Sequence, residues 1–178
     1  MKRNAGFTLM ELMVSITVLG VLTAMAVPSF VSMNNRNRLA SQANELLSAI
    51  QYARAEAIRI NSRVTFCGAA SADVDAEDDC EGGEQPFWVV IGRTDGVEEQ
   101  LRVFSVREPL KVTSDLEKIS FAADGLARDA TTKALVTGEI TVCLETDNPP
   151  EHTRVLNFAS GSRVVITTPA ADGVETCE

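Results

Sequence analysis

The hydrophobic pattern of the chain begins with an almost unbroken apolar run over residues 7–27. About 20 such residues, wound as a helix, suffice to cross the hydrocarbon core of a bilayer. The run contains one ionisable side chain, Glu11, and a carboxylate near the bilayer centre costs about 2.5–3.5 kcal/mol on insertion scales. The run therefore predicts a membrane-spanning helix whose single acid needs a neutralising partner.

A second, amphipathic pattern follows Pro28, which predicts a kink in a helix that continues. Apolar positions recur at alternating spacings of four and three residues, and so form one stripe along a helix. The stripe consists of Leu39, Ala43, Leu46, Ile50, Ala53 and Ala57. Charged side chains largely fall off it: Arg36, Arg38, Glu45, Arg54, Glu56 and Arg59. The sequence predicts one helix over residues 7–60, about 80 Å long at about 1.5 Å per residue, whose second half packs on a sheet.

After residue 62 the pattern changes to short β-rich runs separated by turn residues. The predicted strands cover residues 63–67, 87–91, 100–107, 110–113, 118–121, 140–144, 154–158 and 163–168. Asp95-Gly96 indicates a hairpin between two of them. In residues 101–107 both faces carry apolar groups, so the pattern leaves open which face meets the helix. No linker or repeat divides this half, which predicts one α+β body.

Basic residues and a glycine precede the apolar run, in the order Lys2-Arg3-Asn4-Ala5-Gly6 and then Phe7-Thr8-Leu9-Met10-Glu11-Leu12. This order resembles the leader and cleavage site of type IV prepilins and type II secretion pseudopilins. The resemblance implies that Gly6 precedes the cut and that Phe7 becomes the N-methylated first residue. The new amine would lie about one helical turn from Glu11, and in a staggered stack it could pair with a neighbour's Glu11.

Two other N-terminal signals are alternatives to a prepilin leader. A secretory signal peptide places its small-residue cleavage site after the apolar core, whereas Gly6 and the basic residues come before it. A simple signal anchor is the other alternative. Lys2 and Arg3 favour a cytoplasmic leader, by the bias of positive charge toward that side, with the rest of the chain exported.

The resemblance continues into the amphipathic helix and the first strand. Residues 44–47 (Asn-Glu-Leu-Leu), 51–58 (Gln-Tyr-Ala-Arg-Ala-Glu-Ala-Ile) and 64–67 (Val-Thr-Phe-Cys) are similar to the family that groups the minor pilins FimT and FimU with the pseudopilin GspH. The family implies an α+β pilin-like fold, with a long N-terminal helix on one or two antiparallel β-sheets. The domains expected are a leader (1–6), a transmembrane or filament-core segment (7–27) and a soluble domain (28–178), divided into helix (28–60) and β-rich region (61–178).

The family resemblance implies a minor pilin that enters or initiates a type IV pilus. A GspH-like minor pseudopilin of a type II secretion system is the alternative. Implied partners are the prepilin peptidase and methyltransferase, other minor and major pilins or pseudopilins, and the inner membrane, with the domain in the periplasm and later on an extracellular pilus. With one histidine and no glycine-rich phosphate loop, the sequence predicts no enzyme and no cofactor.

A DNA-binding minor pilin is a second alternative, and the net charge of the chain bears on it. The formal charge is −9, and loss of Lys2 and Arg3 leaves 14 of the 16 basic side chains against 25 acidic ones, or −11. That balance opposes nonspecific binding of nucleic acid. FimT-like pilins are understood to bind DNA through a Gly-Arg-x-Arg element. The corresponding Gly161-Ser162-Arg163-Val164 keeps only Arg163, with Arg154 as a possible neighbour.

The four cysteines are Cys67, Cys80, Cys143 and Cys177. In an exported domain an even number indicates disulfides, and four cysteines permit three pairings. Proximity favours Cys67 with Cys80, and strand geometry would let Cys177 reach Cys143. A zinc site formed by the cysteines is the alternative interpretation, but no Cys-x-x-Cys occurs and His152 is isolated beside two prolines.

An acidic stretch between the first two cysteines partly matches a calcium-binding loop. Positions 1, 3, 5, 9 and 12 of the template correspond to Asp73, Asp75, Glu77, Glu81 and Glu84. Against calcium, Asp78 occupies the position that requires glycine, Cys80 lies inside the loop, and strands are expected on both sides. The alternative is a solvated acidic loop closed by Cys67 and Cys80.

Overall fold

A computed structural model describes residues 8–74, 76–94, 96–129, 132–146, 148–160, 163–169 and 177. Its first element is helix α1 (Leu9–Ile60), 52 residues long, which runs through Pro28 as the sequence predicted. The Thr8 side chain caps the helix by accepting a hydrogen bond from the backbone nitrogen of Glu11 at 3.2 Å. Asn61, in the left-handed conformation with φ 50°, ends it by bonding back to the Ala57 and Ile58 carbonyls.

In the described part of the chain, ten strands follow the helix and form two antiparallel five-stranded sheets. Sheet I has the order β4-β3-β1-β6-β7, and sheet II the order β10-β9-β8-β5-β2. The strands are β1 (Val64–Ala69), β2 (Gly83–Glu84), β3 (Phe87–Thr94), β4 (Val97–Ser105), β5 (Leu110–Ser114), β6 (Lys118–Phe121), β7 (Ala127–Arg128), β8 (Gly138–Leu144), β9 (Thr153–Ala159) and β10 (Arg163–Thr167). All eight predicted strands are present, and the pattern missed only the two-residue strands β2 and β7.

The predicted apolar stripe of α1 is the helix face that packs on both sheets. Its six members are at most 1% exposed and share one core with side chains of β1, β3, β8 and β9. Two polar residues of α1 are also buried, Gln42 and Glu56. The Gln42 amide nitrogen donates to the carbonyl of Ser105, the last residue of β4, at 3.5 Å, and the amide oxygen accepts from the Arg107 backbone nitrogen at 3.2 Å. Glu56 was expected to lie off the buried face, and the prediction was wrong because its pairing with Arg59 compensates for burial.

The structure decides which face of β4 meets the helix. Phe104 is buried in the core, whereas Val103 remains 40% exposed. The guanidinium of Arg102, on the same face as Phe104, lies 5.4 Å from the centre of the Tyr52 ring of α1 and 5.0 Å from that of Phe104. Arg102 and Phe104 therefore face the helix, and cation–π contacts let an arginine occupy that face. A β-bulge opposite Val90 and Ile91 reverses the alternation in the first half of β4, where Gln100 bonds to the loop on the other side of the sheet.

A loop over residues 70–82 covers the outer face of sheet I. It includes a short 3-10 helix (Glu77–Asp79) and is joined to β1 by a disulfide between Cys67 and Cys80. Beneath it lies a second buried cluster, formed by Cys67, Ala69, Val74, Cys80, Val89 and Ile91. Sheet I is thus covered on both faces, by α1 on one and by this loop on the other.

Candidate functional site

The N-terminal part of α1, residues 9–33, projects beyond the sheets and is here called the apolar arm. Its large apolar side chains are all exposed, from 43% for Val31 to 76% for Leu9. Among the described residues, α1 is the one helix long and apolar enough to cross a membrane. A contiguous apolar surface of this size marks a membrane or protein contact, so the arm is the feature on which function depends.

Glu11 lies in the first turn of the apolar arm. Its backbone nitrogen bonds to Thr8, and its carbonyl accepts a hydrogen bond from the Ser15 hydroxyl at 2.7 Å. In the part of the chain that the structure describes, the Glu11 carboxylate has no ion pair. Gly6 and Phe7, the predicted cleavage and methylation positions, lie outside the described residues. The exposed Glu11 carboxylate is the group for which the sequence predicts a neutralising partner.

The base of the arm is fixed to the loop between β8 and β9. The Asn148 side-chain amide donates to the Pro28 carbonyl at 3.1 Å, and the Asn148 carbonyl accepts from the Asn35 amide at 2.8 Å. Arg36 pairs with Glu151 at 3.2 Å. This junction was not among the features predicted from the sequence. The polar run Asn34-Asn35-Arg36-Asn37-Arg38 directly after the arm is the signal that could have indicated it.

The acidic residues proposed for calcium are engaged elsewhere. The nearly buried Glu77 carboxylate accepts from the Thr65 hydroxyl at 2.7 Å and lies 3.4 Å from Arg63 Nε. Glu84 pairs with Lys111 at 3.7 Å. Asp73 is exposed, and Asp75 lies outside the described residues. Among the described residues, these acids form no group able to hold an ion, so the template order did not bring them together.

Glu98 completes a polar network under the same loop. Its carboxylate accepts a hydrogen bond from the Glu77 backbone nitrogen at 2.9 Å and pairs with Arg93. The hydrogen bond from Glu77 and the Arg93 charge outweigh burial and lower the pKa of Glu98. Thr65 and Ser120 continue the network at 2.9 Å between their hydroxyls. The loop is thus held to sheet I by the carboxylate of Glu77 in the loop and by that of Glu98 in β4.

The structure joins Cys67 to Cys80 and Cys143 to Cys177, the pairing that the sequence favoured. The sequence suggested that His152 is isolated, but its ring lies near Cys143 and Cys177. Among the described residues, these three form the single group of potential metal ligands, with ligand atoms within 4.8 Å of one another. Both sulfurs are bonded to each other and do not act as thiolate ligands. His152 Nδ1 instead lies 2.8 Å from the Pro150 carbonyl oxygen.

The two arginines considered for DNA binding lie on opposite faces of sheet II. Arg154 shares its face with Leu156 and Phe158, which pack toward the helix, whereas Arg163 is opposite Ala159 on the outer face. They are five residues apart along the ladder, about 17 Å at the usual rise of a strand. The expectation that they are neighbours is therefore wrong. Gly161 and Ser162 lie outside the described residues.

Two family models match the chain. Residues 42–169 match the model described as Type II transport protein GspH. Residues 1–27 match the prokaryotic N-terminal methylation motif. Together the two matches cover both sheets, the second half of the soluble part of α1, and the predicted leader with its apolar run; residues 28–41 of the helix lie between them.

A curated relative and two solved structures are also similar. The type IV major pilin protein PilA of Myxococcus xanthus is 40% identical over 52 residues, which are 29% of this chain and 23% of that protein. Crystal structures of the minor pilin FimU of Pseudomonas aeruginosa match with a TM-score of 0.54 at 19% identity, covering 80% of this chain and 97% of that one, and of 0.50 at 18% identity, covering 79% and 100%. At these identities the FimU matches show the fold.

The comparisons agree with the geometry of the molecule. The predicted pilin-like fold is confirmed, since one long helix packs on two antiparallel sheets as in FimU. The methylation motif implies processing by a prepilin peptidase and association with other pilins. Since the GspH model covers most of the chain beyond the apolar arm, this pilin-like protein belongs to the GspH family.

Proposed function

We propose that the chain is a minor pilin that enters or initiates a type IV pilus after its leader is cut and its new N-terminus is methylated. The observation that carries the proposal is the apolar arm, exposed along its length, with an acid in its first turn that pairs with no cation among the residues the structure describes. Its pilin-like fold supports the same role. Cleavage would occur between Gly6 and Phe7, and methylation on Phe7.

The apolar arm would have two successive environments. Before assembly, lipid surrounds it, because about 20 apolar residues match the thickness of the hydrocarbon core. On assembly, helices of neighbouring subunits replace lipid. The Phe7 amine of one subunit would meet Glu11 of the next, because an unpaired carboxylate in an apolar medium is costly. This pairing would set the axial register between subunits.

The two disulfides support export of the folded domain. Disulfides persist in oxidising compartments such as the bacterial periplasm, and the domain has one in each sheet region. Lys2 and Arg3 before the apolar run favour retention of the leader in the cytoplasm. The anchored subunit would therefore be a single-pass inner-membrane protein with its domain in the periplasm.

A minor pseudopilin of a type II secretion system is a second candidate, favoured by the description of the matching family model. Both roles use the same arm and the same cleavage. Deletion of the gene separates them: loss of surface pili with normal secretion supports the pilus, and the reverse supports secretion. Co-purification with other minor pilins or with pseudopilins gives a second, independent answer.

Substitution of Glu11 tests the assembly mechanism. Glu11→Ala should leave the protein inserted and processed but reduce its recovery in sheared filaments several-fold, because the amine then lacks its partner. Ser15→Ala, one turn further along, is the matched control and should assemble normally. Normal incorporation of Glu11→Ala contradicts the pairing, and mass spectrometry that finds residues 1–6 still attached contradicts the pilin mechanism altogether.

A further inference from the structure

An open groove of about 480 Å³ lies at the base of the apolar arm. One wall is a single face of α1 that carries Pro28, Ser29, Ser32, Met33, Arg36 and Asn37, and the other wall is Asn148. The hydrogen bonds of Asn148 to Pro28 and Asn35 hold the two walls together. The groove therefore presents hydroxyl, amide and guanidinium groups where the apolar surface ends.

The charge around this groove is positive among the described residues, although the chain as a whole is acidic. Arg36 and Arg154 share one carboxylate, that of Glu151, which lies 3.2 Å from Arg36. Arg154 donates to the backbone oxygens of Thr153, at 2.7 Å, and Glu151, at 3.4 Å. Burial first, and then the charge of Arg36, lower the pKa of Arg154. Asp147 lies outside the described residues.

The position of the groove along α1 matches the headgroup layer of a membrane that the apolar arm would span. Leu9 to Pro28 spans about 29 Å at about 1.5 Å per residue, close to the roughly 30 Å of a hydrocarbon core. The residues of the groove follow at once. On the same helix face, Leu22 lies one heptad before Ser29 and Met25 lies one heptad before Ser32. These two apolar side chains are 60% and 72% exposed. An apolar track thus runs from the polar groove into the bilayer.

We propose that this groove binds the phosphodiester headgroup of an anionic membrane phospholipid. Arg36 and the hydroxyls of Ser29 and Ser32 would contact the phosphate, and Leu22 and Met25 would lie along an acyl chain. The guanidinium of Arg36 has five donors, so pairing with Glu151 leaves donors for the phosphate. The site rests on the membrane-anchored state of the proposed function, and it would fix the depth and rotation of the subunit before assembly.

The test uses the full chain, purified in a neutral detergent and titrated with phosphatidylglycerol, with bound lipids counted by native mass spectrometry. One lipid should bind more tightly than the others. Arg36→Gln should weaken that site about tenfold, the usual effect of losing a charge-assisted hydrogen bond. Arg38→Gln is the matched control, with the same charge change two residues away on an exposed position outside the groove, and should bind normally. Ser29→Ala with Ser32→Ala should weaken the site without changing charge.

The alternatives give different results. Equal lipid binding by Arg36→Gln and Arg38→Gln would overturn the proposed site. Displacement of the lipid by an equal concentration of inorganic phosphate would also overturn it, because the ligand would then be a soluble anion. Lipid binding that is unchanged while Arg36→Gln fails to enter filaments also overturns it, and indicates a contact with a neighbouring subunit. Absence of the wild-type chain from membranes would instead contradict the proposed function itself.

Discussion

The side-chain nitrogen of Asn148 lies 3.1 Å from the carbonyl oxygen of Pro28, which precedes it by 120 residues. A proline inside a helix removes a backbone hydrogen bond and weakens the helix at that point. The loop between β8 and β9 thus holds α1 just where its own hydrogen bonding is interrupted. This contact connects the apolar arm to the folded domain.

Asn148→Ala should lower the free energy of unfolding by about 1 kcal/mol, the usual net value of one hydrogen bond. The backbone carbonyl of residue 148 still accepts from Asn35, so the loop should stay in place. Urea unfolding of the full chain in detergent measures the change. Asn34→Ala, an exposed asparagine of the same helix segment, is the control, and equal effects of the two variants would contradict the role of the Pro28 contact.

The Glu98 carboxylate should make stability depend on pH. Because its pKa is lowered from 4.5 in the folded protein, ionised Glu98 contributes stability above pH 4.5, and this contribution is lost as the pH falls through the folded pKa. The difference in melting temperature between wild type and Glu98→Gln should therefore be constant near neutral pH and shrink below 4.5. Glu99→Gln, at an exposed neighbouring position, is the control for the change in charge, and a pH-independent difference for Glu98→Gln would contradict the prediction.

Removal of the first disulfide should loosen the loop over sheet I. Cys67 and Cys80 are 13 residues apart, and closing a loop of this length contributes about 3 kcal/mol in the chain-entropy model. The double variant Cys67→Ala, Cys80→Ala should lose roughly that amount in denaturant unfolding. It should also become sensitive to limited proteolysis within residues 70–82. Unchanged stability would show that the Glu77 and Glu98 contacts hold the loop without it.

Calcium should not stabilise the protein. The Glu77 carboxylate is occupied by Thr65 and Arg63, and Glu84 is paired with Lys111. Adding a calcium chelator to the disulfide-intact protein, or adding calcium to it, should leave the melting temperature unchanged. A rise in melting temperature with calcium but not with magnesium would contradict this prediction and restore the calcium-loop interpretation.

A side chain at Gly125 should destabilise the protein more than one at Gly83. The φ of Gly125 is +74°, which disfavours residues with a Cβ, and a Cβ there would lie 2.9 Å from Cδ1 of Ile58 at the end of α1. Gly83 has a similar φ of +78° but open space around it. Gly83→Ala should cost about 1 kcal/mol from backbone strain alone, and Gly125→Ala should cost about 1 kcal/mol more from the crowded contact. Equal losses would show that Ile58 moves aside freely.

Sequence by itself determined the elements whose signal is local. Helical periodicity identified the stripe from Leu39 to Ala57 and the helix end near Ile60, because hydrogen bonds four residues apart and a buried face leave a pattern in nearby residues. Alternation and turn residues likewise identified eight strands. The order of residues around Gly6, Phe7 and Glu11 was sufficient for the resemblance to prepilins.

Only the tertiary structure decided where side chains from distant segments meet. In the sequence, Glu77 occupies a ligand position of the calcium-loop template, but in the structure its carboxylate accepts a hydrogen bond from Thr65 of β1. Arg154 and Arg163 are close in sequence but lie on opposite faces of sheet II, because strand register fixes which side each residue takes. Asn148 reaches Pro28 for the same kind of reason: such contacts depend on chain topology and long-range packing, which no local pattern of residues encodes.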